Sequence, residues 1–340
     1  MSELFSHTLL ESAFTWLCQT RKHFPANAGV WHLRFHWRVE KQRLYQQLNA
    51  GTYQLSPLQL VKTAQGDTRA IWSSPDALVL KCLTLLLTAL LPVHPRCEHI
   101  KGHQGGKKSV QRLHQVLRQP NHRFVCRTDI KGYYARINKQ TLYSQVQSHV
   151  QNPILLNLVW QFLHYSVEDG GTFHAPEFGI ARSSSLSPLL AAFHLYEVDA
   201  HFANQPNLDY SRYMDDFFII AKTRWQLRRA VRKLNQFFNQ YGFRQHPDKT
   251  FIGPTRKGTD WMGYWLTDQG VQSVAPRALA NHLTKLRRLY EQTRHLPARQ
   301  QQARVAGYIG RWYLVFFPEF PRILGASFRV VSPWRPGKAF

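Results

Sequence analysis

Apolar positions along the chain follow three rhythms. The run ALVLKCLTLLLTALL, Ala77 to Leu91, is hydrophobic nearly throughout. It predicts a buried helix over 76–91, with Ser73 or Ser74 as cap, Pro75 in the first turn and Pro92 past the end. Short β-branched and aromatic stretches predict strands: RFVCRTDI, and both halves of SRYMDDFFII. LQLVKTAQGDTRAIW reads as two short strands around a Gln65-Gly66-Asp67 turn, and KTFIG and WMGYWLT as one strand each. Helical spacing marks TRWQLRRAVRKLNQFFNQYG, which Gly242 ends. It also marks the segment beyond Arg277, where Leu279, Leu283, Leu286 and Tyr290 should face inward. Residues 1–45 form a helical, aromatic lead-in, and helical material fills 139–175. GIARSSSLSPLLAAFHLYEVD looks like a loop entering a helix with a serine cap. The pattern is that of an α+β chain with antiparallel strands and helices behind them.

Charge changes this picture. Lys+Arg number 44 against 20 Asp+Glu, a net charge of +24. Such an excess favours a polyanionic partner, and aromatic residues at 13% suit bases as well as phosphates. The longest apolar run is short for a bilayer and contains Lys81, so no membrane partner is expected. No secretory signal opens the chain, and Cys18, Cys82, Cys97 and Cys126 are dispersed. A cytoplasmic, reduced setting is the expectation. His94, Cys97, His99 and His103 match no standard zinc spacing and read better as a basic loop.

Against that positive background the acidic residues stand out. Asp215 and Asp216 sit at a hairpin tip, where a lone Asp-Asp is ordinarily a polar turn. Asp129, however, ends another half-apolar strand. On neighbouring strands of one sheet these carboxylates would repel and raise one another's pKa unless a divalent cation lay between them. Mg²⁺ favours one or two carboxylates plus substrate phosphates. Two ions about 3.5–4 Å apart support an in-line phosphoryl transfer. Nucleotidyl transfer is the chemistry indicated.

These segments together resemble a bacterial reverse transcriptase of the group II intron and retron kind, over about Gln59 to Glu291. TDIKGYYARIN is similar to the family's first catalytic motif, YMDD to its second, and GIARSSSLSP to the loop between them. The resemblance implies a right-hand polymerase fold: an N-terminal helical extension (1–45), fingers (46–118), palm (119–272, with helices over 139–175 inserted), and a basic thumb with tail (273–340). It implies RNA-directed DNA synthesis on two Mg²⁺ ions, with Mn²⁺ as substitute. Asp129, Asp215 and Asp216 would hold the metals, helped by the Ile130 carbonyl. Lys62, Arg69, Tyr134, Arg182 and Ser183 would meet the dNTP, Tyr134 excluding a 2′-hydroxyl. Lys249 would protonate the departing pyrophosphate. Trp261, Met262, Gly263 and Tyr264 resemble the primer grip. Lys107, Lys108, Lys285, Arg287, Arg288 and Arg294 would follow nucleic-acid phosphates.

The loop departs from the family's usual Gly-Leu-Pro-Gln-Gly, because Arg182-Ser183 replaces Gln-Gly. This implies altered template or nucleotide selection. No Cys/His-rich endonuclease module is expected. Among RT-only members, a defence-associated enzyme copying a cognate non-coding RNA is favoured over retron, diversity-generating or mobile-element enzymes. Template-independent or protein-primed synthesis is the enzymatic alternative, and an RNA-binding scaffold the non-enzymatic one. The implied partners are an RNA template, a DNA or RNA primer and dNTPs; a partner protein or a homo-oligomer is left open.

Overall fold

The structure, a computed structural model, describes residues 3–62, 68–100, 102–103, 105–316 and 320. The chain forms two compact units, each assembled from three separate stretches. The first takes 1–100, 130–201 and 235–245; the second takes 101–129, 202–234 and 246–340.

The elements run in chain order from α1 (His7–Thr20), α2 (Gly29–Phe35) and α3 (Trp37–Asn49) to the strands β1 (Leu58–Lys62) and β2 (Thr68–Ile71). Helix α4 (Ser74–Thr88) follows, then α5 (Gly105–Leu117), β3 (Phe124–Asp129), α6 (Tyr133–Arg136), α7 (Lys139–Gln147) and α8 (Pro153–Leu163). Next come β4 (Val167–Asp169), β5 (Thr172–His174), α9 (Ser187–His194), α10 (Tyr196–Ala203), β6 (Leu208–Tyr213) and β7 (Asp216–Ala221). The rest comprises α11 (Arg224–Gln240), β8 (Phe251–Pro254), β9 (Thr259–Trp261), β10 (Tyr264–Thr267), β11 (Gly270–Val274), α12 (Pro276–Thr293) and α13 (Ala298–Phe316).

In the first unit α4 is the central helix. The Ser73 hydroxyl accepts from the Asp76 N–H at 3.1 Å, which caps the helix. Leu78, Val79, Leu80, Cys82, Leu83 and Leu87 are all buried, as an apolar run without a polar face requires. Helices α1 and α2 pack on it. The helix stops at Thr88 and a turn carries the chain to Pro92, so the expected end at 91 was three residues long. The unit's sheet has the order β2-β1-β4-β5. Its second half corrects the all-helical expectation for 139–175. Gly170 and Gly171, both at positive φ, turn β4 back onto β5, and β1 pairs with β4 in parallel. The serine cap expected for α9 is also corrected. Leu186 occupies that position without a side-chain bond, while Ser187 lies inside α9 and donates to the Ala181 carbonyl.

The second unit is built on the sheet β6-β7-β3-β8, antiparallel throughout. With two-residue periodicity, Val125, Arg127 and Asp129 of β3 share a face with Asp216, Phe218 and Ile220 of β7. Val125, Phe218 and Ile220 pack there against Val110, Leu113 and Leu117 of α5 and against the small sheet β11-β10-β9. WMGYWLT is therefore two strands rather than one. Trp261 closes β9, Tyr264 opens β10, and Met262 and Gly263 form a two-residue turn with φ of 50° and 84°. Positive φ at both central residues is the type I′ geometry that matches the right-handed twist of the flanking strands. Strand β11 lay unread in the sequence.

Gly179 has a similar backbone demand. Its φ is +86°, its N–H reaches the Ile137 carbonyl at 2.8 Å, and a Cβ would lie 2.8 Å from Ala135 Cα and the Tyr134 carbonyl oxygen. Gly179→Ala should therefore cost about 2 kcal/mol or more, read as a lower urea midpoint. An unchanged midpoint would refute this close approach.

Candidate active site

The hairpin β6–β7 turns through Met214 and Asp215 alone, with Met214 at φ 55°. Arg212, fully buried, donates from Nη1 to the Met214 carbonyl at 2.9 Å and steadies this strained tip. The register places Asp129 directly opposite Asp216, so Asp215, on the turn, is the third corner. One oxygen from each carboxylate lies within 4.8 Å of the others. Among the described residues this is the only group of three or more acidic, His or Cys side chains close enough to share a metal ion.

Two cations hold the acids. Lys249 Nζ donates to Asp129 Oδ2 at 2.8 Å. Arg127, two residues before Asp129 on the same face, lies 2.9 Å from Asp216 Oδ1 and 3.6 Å from Asp260 Oδ2 of β9. Its other arm donates to the Lys249 carbonyl at 2.6 Å, tying the strand to the Pro247–Lys249 turn. The sequence reading did not single out Arg127. A charged residue spaced two positions from a strand-end aspartate was the available sign.

Two cations do not quench three acids. Burial, with the nearby Asp129 charge, raises the Asp215 carboxyl above the ordinary carboxylate value. Burial also pushes Asp216 up to about 6, against the pull of Arg127 and with a further push from Asp129 and Asp215. One buried and two half-buried carboxylates brought together, two of them reluctant to ionise, fit a divalent cation: hard oxygen donors with excess negative charge.

Met262 and Gly263 form the tip of the β9–β10 turn. The flanking rings of Trp261 and Tyr264 are buried, with Trp261 Nε1 donating to Ser109 Oγ at 2.8 Å and the Tyr264 hydroxyl to the Phe316 carbonyl at 3.3 Å. The tip therefore presents mainly backbone and the Met262 side chain. Lys107 and Lys108 are exposed on the first turn of α5, and Lys285, Arg287, Arg288 and Arg294 are exposed on or just past α12. The buried face of α12 includes Leu286 and also His282, which stacks on Trp312 and Tyr308 of α13.

Ile130, Tyr134, Arg182 and Ser183 belong to the first unit. The antiparallel bridge at Ile130 runs through the Lys131 N–H and the Asp129 carbonyl, which leaves the Ile130 carbonyl out of it. The Arg182 guanidinium lies 5.8 Å from the centre of the Tyr134 ring. Ile180 N–H donates to the Tyr134 carbonyl at 2.9 Å, so the divergent loop is laced to the motif that carries this tyrosine. In the first unit's sheet, Val61 pairs with Arg69 and Lys62 with Thr68. The side chains of Lys62 and Arg69, and the turn between their strands, lie outside the described residues.

An α+β chain whose antiparallel sheet ends in a metal-competent carboxylate triad defines the class, a polymerase-type fold. The family model for reverse transcriptase (RNA-dependent DNA polymerase) matches residues 61–266, more than half of the chain. The chain belongs to the reverse transcriptase family and is an enzyme of the RNA-directed DNA polymerase class. Among curated proteins it is 22% identical to Protein YkfC of Escherichia coli (strain K12), over 76% of this chain and 80% of that one. It is 24% identical to the group II intron-encoded protein LtrA of Lactococcus lactis subsp. cremoris, over 46% of this chain and 27% of LtrA's length. Apo telomerase from Candida tropicalis aligns over 58% of this chain and 39% of its own, at 12% identity and a TM-score of 0.44. That score adds nothing to the assignment. No helix among the described residues is long and apolar enough to cross a membrane.

The raised Asp216 carboxyl carries a pH signature. Between about 4, the ordinary carboxylate value, and about 6 the folded chain binds more protons at Asp216 than the unfolded chain does. Stability from this group, without divalent cation, therefore falls as pH rises through that window. Melting curves in chelator should show this slope, and Asp216→Asn should reduce it, leaving the part due to Asp215. A divalent cation should raise the melting temperature more at pH 7 than at pH 5; equal shifts would contradict the scheme.

Proposed function

We propose that the chain extends a nucleic-acid primer with deoxynucleotides on an RNA template, using Mg²⁺ at Asp129, Asp215 and Asp216. The observation that carries this is the convergence of the three carboxylates at the end of one sheet. Divalent ions held there would supply Lewis-acid activation of the primer 3′-hydroxyl and charge stabilisation at the α-phosphate. Catalysis by the chain itself is then mostly positioning. Arg127 keeps Asp216 aimed while its own charge stays engaged. Lys249 would sit beside the metal-holding Asp129, where its ammonium could give a proton to the departing pyrophosphate. The turn at Met262–Gly263 steadies the primer end, and the cations of α5 and α12 follow phosphates.

On this reading the fingers are 46–118, the palm 119–272 and the thumb 273–340. Lys62 and Arg69 clamp the triphosphate, the Ile130 carbonyl completes a metal shell, and Tyr134 closes on the sugar, rejecting a 2′-hydroxyl. Arg182 supports the Tyr134 ring, since its guanidinium lies over the aromatic face. The cation at this place, with Ser183 beside it, favours a specialised template, and we assign the enzyme to copying a cognate non-coding RNA in anti-phage defence.

Primer-extension assays test the chemistry. Asp215→Ala should lower incorporation by about three orders of magnitude or more while RNA binding is kept. Binding without synthesis in the wild type would leave a scaffold, not a polymerase. Tyr134→Ala should admit ribonucleotides roughly tenfold more readily, and Arg182→Gln should shift nucleotide preference in the same direction by less. An unchanged ribose-to-deoxyribose ratio in both would remove the tyrosine from the sugar site. Sequencing the RNA and cDNA that co-purify with the protein tests the template. A single abundant RNA species is expected, and a random sample of cellular RNA would refute a cognate template.

A further inference from the structure

The second unit carries a concentration of positive charge that none of these roles uses. Its main sheet has two ends. Asp129 faces Asp216 at one, and Phe124 pairs with Ala221 and Pro254 at the other. The ends are five residues apart on β3, roughly 17 Å. An open groove of about 760 Å³ lies at the far end. Its walls come from the α5–β3 connection, the first turn of α11, β8 with the turn after it, and the β10–β11 turn.

Arg118, Arg123, Arg224, Arg228 and Arg256 line this groove, with Asp268 as its one lining carboxylate. All five arginines are exposed, and among the described residues of this unit Arg112, Arg127 and Lys249 form ion pairs elsewhere. Trp225, on the same turn of α11, is 74% exposed, and the Arg228 guanidinium stands 5.4 Å from its ring.

Five like charges drawn from separate segments repel one another, and an extended polyanion relieves that repulsion. A lone phosphate would meet only one or two of them. Guanidinium groups grip phosphate oxygens in forked pairs. An exposed indole with an arginine over one face offers its other face as a stacking platform for a base, and stacking of that kind needs a base that is not already paired. An acidic peptide has nothing to place on Trp225, and a lipid surface does not enter a concave groove. We propose that this groove binds a single-stranded segment of nucleic acid, with phosphates on the arginines and a base on Trp225, apart from the carboxylate centre. Its occupancy does not depend on the polymerase reading.

The test uses the full chain with excess unlabelled hairpin template-primer, so that the catalytic path is filled. Fluorescent oligouridylate and oligodeoxythymidylate of about 12 nucleotides, within the usual site size, are titrated by anisotropy at graded salt. Replacing Arg118, Arg123 and Arg256 together with Ala should weaken binding at least tenfold and flatten the slope of log affinity against log salt by about 2. Trp225→Ala should weaken it about tenfold with little change of slope. Extension of the hairpin should stay within about twofold in both variants, a range expected of surface groups far from the site. A larger loss with oligouridylate identifies the strand as RNA, a larger loss with oligodeoxythymidylate as DNA, and equal losses as either; all three support the proposal. Unchanged affinity and slope in both variants would overturn it. So would loss of hairpin extension in step with oligonucleotide binding, which would make the groove part of the primer–template path. So too would variants that lose polyglutamate or phosphatidylserine-vesicle binding while holding both oligonucleotides as before.

Discussion

Three carboxylates meet at one end of a buried antiparallel sheet, and their mutual repulsion is the constraint around which the second unit is arranged. Burial leaves too little water to screen them, so Asp215 and Asp216 are both harder to ionise than ordinary aspartates. The neighbouring side chains answer that strain in part. Arg127 and Lys249 each take one acid, and Arg127 also binds the carbonyl of the residue that supplies the second cation. The remaining negative charge is what a divalent cation requires, and a fully neutralised cluster would bind one poorly.

That arrangement is held by hydrophobic packing a few residues away. The face of the sheet that carries Arg127, Asp129 and Asp216 continues into Val125, Phe218 and Ile220, which pack on α5 and the three-stranded sheet. The same strands thus serve as core at one end and as the platform for the carboxylate cluster at the other. Register is the link between these tasks. A slip of one residue would send the apolar set and the acids to opposite faces together. The tight turn through Met214 and Asp215 pins that register, at the cost of positive φ on a residue other than glycine.

Much of the site was legible because strands and acids are local features of sequence. A half-apolar run ending in Asp129, and an aromatic hairpin interrupted by Asp215-Asp216, state both the strand and the misplaced charge. Their adjacency was also inferable, though not that Asp216 rather than Asp215 would stand opposite Asp129, since pairing register is a tertiary property. The misses have the same physical source. WMGYWLT looked continuous because aromatic residues favour strand whether or not a turn divides them, and only Gly263 hinted at the break. The hairpin at 167–174 was hidden in apolar helical surroundings, although its Gly170-Gly171 pair was a turn signal. Arg127 went unnoticed because an arginine inside a strand ordinarily reads as a solvated edge, and only its cross-strand acid shows it to be buried and paired.

The distribution of arginines extends the same logic from the site to the surface. Where arginine meets a carboxylate within this unit, as Arg112 and Arg127 do, the charge is consumed by the fold. Acidic residues number 20 against 44 basic ones, so most cations must lack such partners inside the chain. Uniform scatter would give solubility and weak, unfocused attraction to polyanions. Here instead exposed cations gather along α5, along α12 and around the groove at the far end of the sheet, where several segments of sequence contribute. Clustering raises the self-repulsion that counterions must otherwise screen, and a ligand with closely spaced negative charge offsets it most directly. The surplus is therefore focused into separate patches rather than spread as one diffuse field.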